Sequence, residues 1–263
     1  MENAKCHELY TLLSLKTYPF GVKFYESIEE RPEGTTRPRH PMNTCQITSL
    51  ARYYGRQMYF TAEDMACAEG AVALGLAEET ENMKSGKIAG MLHADLESAR
   101  RFTQLSPRIP FGRVKAVAVA PLCALSFEPD IVVAYGNTAQ IMKVIQGYLW
   151  KKGGRVDFST GGEWSLCSDV LAQAYNKKDI VLGIPCFGDR KTGLAQDDEL
   201  TIGFPRLMLE EITEGIKATA KVSPYPIPYD MGFPQMPDYT LTPWAVEYRR
   251  SRENPERLKH GGS

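Results

Sequence analysis

Six cysteines stand at Cys6, Cys45, Cys67, Cys123, Cys167 and Cys186. None forms a C-x-x-C pair, which removes zinc ribbons, thioredoxin-like redox pairs and ferredoxin-type ligand runs. Four of the positions are informative. Cys45 opens an expected helix just after an Arg/Pro loop, and Cys67 lies in a helical stretch from Asp64 to Gly70. Cys167 opens a helix after Gly161-Gly162, and Cys186 closes a buried strand. Three of these four are element ends, where α/β proteins place ligands. Thiolates gathered from distant segments hold a metal ion or an iron-sulfur cluster, and four of them are the usual set for [4Fe-4S]. Thiolates serve zinc as well. The bland alternative is that free cysteine packs as a small hydrophobe.

Other side chains offer weaker chemistry. Arg190, Asp197, Asp198 and Glu199 follow Cys186 closely. Arg190 could hold a carboxylate or phosphate through its fork, and a partly buried Glu199 could act as acid or base. An ordinary solvated loop explains them equally well. Asn137 and Gln140 follow an expected strand, where an open sheet binds small molecules, although helix capping already accounts for Asn137. The basic loop Arg31 to Pro41 could attract an anionic substrate or a redox partner. The four histidines do not cluster at ligand spacings. No dinucleotide fingerprint, phosphate loop or G-x-S-x-G elbow occurs, so nucleotide binding and serine-hydrolase chemistry have no motif.

The elements that must position these groups follow from periodicity. Helices are expected over 6–16, 45–54, 62–74, 96–104, 138–151, 165–176 and 206–220. Strands are expected over 21–25, 114–120, 130–135, 156–158 and 180–184, with an edge strand over 199–204. The order from 130 to 184 is strand, helix, strand, which gives an α/β or α+β fold with a mixed sheet core. The expected domain covers 1–222, with a helical part about 44–104 and a sheet part about 113–222. Six prolines interleaved with aromatics mark 223–243 as an extended arm, over the chain's own surface or around a second copy as a homodimer. A charged helix over 243–253 follows, and the tail 259–263 reads as flexible, its Gly-Gly-Ser a candidate expression-vector remnant.

Composition bounds the function. The chain has 263 residues, 43% apolar, 24% charged, with a formal net charge of −1. That length supports a full core without disulfide staples, and the composition excludes disorder as the main state. Near-neutral charge argues against nucleic-acid binding, which needs a basic face. The N-terminus lacks a signal-peptide pattern and no apolar window is long enough to span a bilayer. A cytoplasmic, reducing location is therefore expected, with free thiols.

An ordered set of segments carries a resemblance. It runs through Cys45-Gln46, Ala51-Arg52-Tyr53-Tyr54-Gly55, Asp64 to Gly70, Leu74-Gly75-Leu76, Ala120-Pro121-Leu122 and Asp130 to Val133. It continues through Asn137 and Gln140, Cys186 to Arg190, Asp197 to Glu199 and Gly203-Phe204-Pro205. Together, over residues 5 to 222, they resemble the family called domain of unknown function 169, common in anaerobic bacteria and archaea. The family pattern matches Cys45, Cys67, Cys167 and Cys186, and not Cys6 or Cys123. The resemblance thus implies a four-cysteine [4Fe-4S] site in an oxygen-poor setting. Beside it, Arg52, Asn137 and Gln140 are the expected substrate-binding residues, and Arg190 and Glu199 the expected catalytic ones. The expected function is an iron-sulfur protein, an oxidoreductase or lyase, acting on a small molecule or a redox partner protein. The alternatives are a metal-free small-molecule binding module and an oligomerising interaction protein.

Overall fold

The computed structural model describes residues 2–222. The proline-rich arm at 223–243, the helix at 243–253 and the tail lie outside the described residues. In chain order the elements are α1 (Glu2–Leu13), β1 (Phe20–Tyr25), α2 (Thr44–Tyr54), β2 (Met58–Thr61), α3 (Ala68–Ala73), α4 (Glu81–Lys84) and α5 (Leu96–Leu105). Then come β3 (Ala116–Pro121), β4 (Ile131–Gly136), α6 (Thr138–Leu149), a π-helical segment (Ser165–Ala172) running into α7 (Gln173–Lys177), β5 (Val181–Gly183), α8 (Phe187–Gly193), β6 (Leu200–Pro205) and α9 (Leu209–Val222).

The six strands form one sheet in the order β2-β3-β1-β4-β6-β5. Every pair of strands in it is antiparallel, which realises the α+β form of the expected mixed α/β chain. The strand-helix-strand unit from β4 to β5 is split, because β6 pairs with β4 on one side and with β5 on the other. The segment expected as an edge strand over 199–204 is therefore internal. Four of the six residues of β6 are buried, and β5, only three residues long, takes the edge instead. The apolar runs of β3 and β4 are buried at every position, as a sheet covered on both faces requires.

Strand alternation divides the core in two. Val117, Val119, Val133 and Tyr135 face α2, α3 and the π-helical segment. Val132, Ala134, Ile202 and Phe204 face α1, α6 and α9. Burying Phe20, Phe60 and Phe204 completely contributes about 1.5–3 kcal/mol each. The π-helical segment lies close on the sheet: a Cβ at Gly203 would meet Val170 Cγ1 at 2.7 Å. Glycine at that point of β6 is what permits the approach.

Three local expectations change. The helix over 62–74 is broken into a 3-10 turn, Ala62–Asp64, and α3, because Asp64 folds back to accept from the Thr61 N–H at 2.9 Å. Cys67 is left in extended backbone just before α3. The residues 156–158 form no strand, and β2 is a strand the sequence pattern did not reveal. Helix α2 begins one residue earlier than expected, capped by Asn43 with Gln46 rather than by Thr44, and Gly55 ends it in the left-handed conformation at φ 67°.

Candidate functional site

Cys45, Cys67, Cys167 and Cys186 line one cavity of about 260 Å³ on the α2 side of the sheet. Each arrives on a different element. Cys45 sits in the first turn of α2, Cys67 precedes α3, Cys167 lies in the π-helical segment and Cys186 precedes α8. Helix α8 packs on α2, which brings Cys186 and Cys45 to one wall. The π-helical segment packs on α3, which does the same for Cys167 and Cys67. The eight-residue π-helical run is itself unusual, since such turns are rare and concentrate at functional sites. Trp164, just before it, takes left-handed backbone at φ 50°, an outlier for a bulky side chain, and lines the same cavity.

The electrostatics of the cavity have one sign. Among the described residues its lining holds four thiols and the carboxylates of Glu69 and Glu163, and no Lys, Arg or His. Burial pushes the Cys45 thiol well up, and Asp189 and the other three cysteines push it further. Burial likewise raises Cys167, with Cys67, Cys186 and Asp169 adding to it. Cys67 is pushed up to about 12 by burial and by Glu69. Its Sγ–H donates to Glu69 at 3.2 Å, while the sulfur accepts from the Gly70 N–H at 3.3 Å. Cys186 is half-buried. Thr44 Oγ1, on the cavity wall, is buried with no hydrogen-bond partner. Glu163 stands 2.9 Å from His93 Nε2; burial pushes its carboxyl up and His93 pulls it down. The five cysteines from Cys45 to Cys186 are all free thiols, and Cys123 stands outside the cavity lining.

Among the described residues no three His, Cys, Asp or Glu side chains converge tightly enough to hold a single metal ion. A multi-iron cluster seats its thiolates around a body several atoms across, so its ligands stand wider apart than those of one zinc ion.

A second buried constellation adjoins the first. The Arg52 Nη2 donates to both oxygens of Glu199 at 2.5 Å, and its Nε donates to Thr17 Oγ1 at 2.9 Å. The guanidinium lies 3.7 Å from the centre of the Tyr135 ring. Tyr135 in turn donates to Asp189 Oδ2 at 2.7 Å. Burial raises the Asp189 carboxyl to about 6, against the pull of Tyr135 and Arg52. The sequence thus brought Arg52 and Glu199 forward separately, and the fold pairs them. Asp189 and Tyr135 were missed, as were Glu69 and Glu163. Only the nearness of Glu69 to Cys67 and of Glu163 to Gly161-Gly162 could have signalled the last two.

The remaining candidates are placed elsewhere. Asn137 and Gln140 form a reciprocal capping box at the start of α6. Gln140 Nε2 also donates to the carbonyls of Leu13 and Ser14 at 2.9 Å, which ties α6 to the end of α1. Arg190 donates to the Pro185 carbonyl at 3.0 Å and the Gln196 carbonyl at 2.6 Å, closing the loop around α8. None of these three lines the cysteine cavity.

Residues 8–215 match the model of the DUF169 family, described as uncharacterised ArCR. The chain belongs to this family. An uncharacterised protein of Methanocaldococcus jannaschii is 31% identical over 219 residues, covering 82% of this chain and 93% of the relative. No solved structure shows a significant match. Among the described residues of this DUF169 member, no helix is long and apolar enough to cross a membrane.

Proposed function

We propose that this protein is an iron-sulfur protein whose cluster is held by Cys45, Cys67, Cys167 and Cys186. One observation carries the reading: four thiols from four separate elements line a single cavity, with no cationic side chain among the described residues that line it. The donor set fits the group. Buried thiols that raise one another's pKa remain protonated by themselves, and a metal centre reverses that balance by displacing the protons.

A bound [4Fe-4S] group would supply one-electron transfer, or Lewis-acid chemistry if an iron were left open. With all four thiols on the wall, the closed form and electron transfer are favoured. The chain's own residues then have definite tasks. Trp164, Ile88, Ala89 and Leu92 give the cavity an apolar side. The Gly70 N–H already donates to the Cys67 sulfur, the kind of contact that tunes a thiolate ligand. Glu69 takes the Cys67 proton in hydrogen bond and is the nearest base for its release.

The test is purification without oxygen from a host competent in cluster assembly, followed by the visible spectrum and iron and sulfide counts. Brown protein with about four irons per chain is expected. Serine at any of the four cavity positions should bleach it, and Cys123→Ser should not. A colourless protein with one zinc per chain would retain the thiol site and overturn the cluster. Protein free of any metal would overturn both.

A further inference from the structure

A second cavity, of about 490 Å³, lies at the opposite end of α2 from Cys45. Arg37, Arg39, His40 and Arg56 line it together with Tyr54, and among the described residues no carboxylate does. Its floor is apolar, made by Met42, Leu50 and Met58. This local positive charge stands out in a chain whose formal net charge is −1.

The cationic strap is held rather than loose. At one end the Thr36 N–H donates to the Gln57 carbonyl and the Tyr59 N–H donates to the Thr36 carbonyl, both at 2.9 Å. At the other end the Met42 N–H donates to the Asp64 carbonyl and the Ala66 N–H donates to the Met42 carbonyl, again at 2.9 Å. Pro38 and Pro41 stiffen the backbone between these pins. Arg37 is already spoken for, since its Nε donates to both oxygens of Asp64 at 3.1 Å. Among the described residues Arg39 and Arg56 enter no ion pair, and both are exposed on the cavity wall.

We propose that this cavity binds a small organic oxyanion, its phosphate or carboxylate head between Arg39, His40 and Arg56 and its apolar body against Tyr54, Met42 and Met58. Guanidinium forks suit such heads, and the exposed Tyr54 ring offers a face to a planar body. The volume is that of ordinary small-molecule sites. The assignment is independent of what the cysteines hold, because the two linings share no residue.

Isothermal titration of the full chain at fixed low ionic strength tests it, with phenyl phosphate, benzoate and inorganic phosphate as probes. Saturable binding of phenyl phosphate or benzoate at one per chain is expected, and whichever binds names the head group. The R39A/R56A double variant should weaken it by at least about tenfold, as the loss of charge-assisted hydrogen bonds implies. Both positions are exposed, and circular dichroism of the variant checks that the fold is kept. Failure of both organic probes to saturate, or equal binding by the double variant, would overturn the site. Inorganic phosphate binding as tightly as phenyl phosphate would overturn the organic body.

Discussion

The pair Arg52–Glu199 offers the sharpest test of the core. Both side chains are buried, at 1% and 4% exposure, and the contact is 2.5 Å. Glu199 also accepts from the Gln196 N–H at 2.8 Å. Substituting Glu199→Gln keeps the shape and that last hydrogen bond while removing the charge. Removing one partner of a buried pair costs about 3–5 kcal/mol, because the other charge is left uncompensated. Two neighbours soften the loss here. The Tyr135 ring still faces the guanidinium at 3.7 Å, and Asp189, raised to about 6, is mostly ionised at pH 7 and becomes the remaining counter-charge. The lower end, about 3 kcal/mol, is therefore expected. That is a large share of a domain stability of about 5–15 kcal/mol. Urea unfolding followed by tryptophan fluorescence measures it. The double variant R52M/E199L removes both charges, and should return to within about 1 kcal/mol of the parent or exceed it. A loss below about 1 kcal/mol in Glu199→Gln, or a double variant as unstable as the single one, would refute the view that this pair is a desolvated structural bond.

Asp169 gives a pH prediction. Burial raises its carboxyl to about 6, against the Thr160 and Gly161 hydrogen bonds, and Asp189 stands at a similar value. A folded-state pKa above the unfolded one means the folded chain holds the proton more tightly. The stability it gives is full below about pH 4 and is lost as pH rises through about 6, by an amount on the order of 2–3 kcal/mol for each group. Urea midpoints from pH 4 to 7 should therefore fall less steeply toward neutrality in Asp169→Asn than in the parent; parallel curves would contradict it. Gly215 meets the Gly147 backbone where α9 crosses α6, so Gly215→Ala should cost about 1–3 kcal/mol in thermal unfolding despite alanine's better helix propensity. An unchanged or higher Tm would show that the two helices have room to part. In metal-free protein, an alkylating reagent read by mass spectrometry should label half-buried Cys186 before the buried, raised thiols Cys45 and Cys167. Faster labelling of Cys167 would mean that the cavity opens.

Much of the fold was legible from local pattern. The apolar runs that became β3 and β4 name themselves as buried strands, and Asp95 caps α5 as its position suggests, accepting from the Ser98 N–H at 2.7 Å. Where local pattern failed, a long-range contact had decided. β6 contains a glycine and a threonine and looked peripheral, yet Gly203 is there to admit Val170, and Thr201 is fully buried. The break between the 3-10 turn and α3 arises because Asp64 serves both the Thr61 N–H and Arg37, the latter from a strap 27 residues earlier. Asn137 and Gln140 show the converse. Their capping role was readable, while the second bond of Gln140, to the end of α1, spans 127 residues and was not.

The sequence by itself determined the chemistry available: six thiols, no nucleotide loop, no histidine cluster, and four cysteines set within one ordered pattern of family-like segments. It also determined that most of those four fall at element ends, since caps and breaks are local. Only the tertiary structure decided that the four meet in one cavity and that Arg52 finds Glu199. Neither meeting is a property of any stretch of chain. Both depend on how α2, α3, α8 and the π-helical segment are laid against one face of the sheet. The order of its strands is set by pairings between residues far apart in sequence.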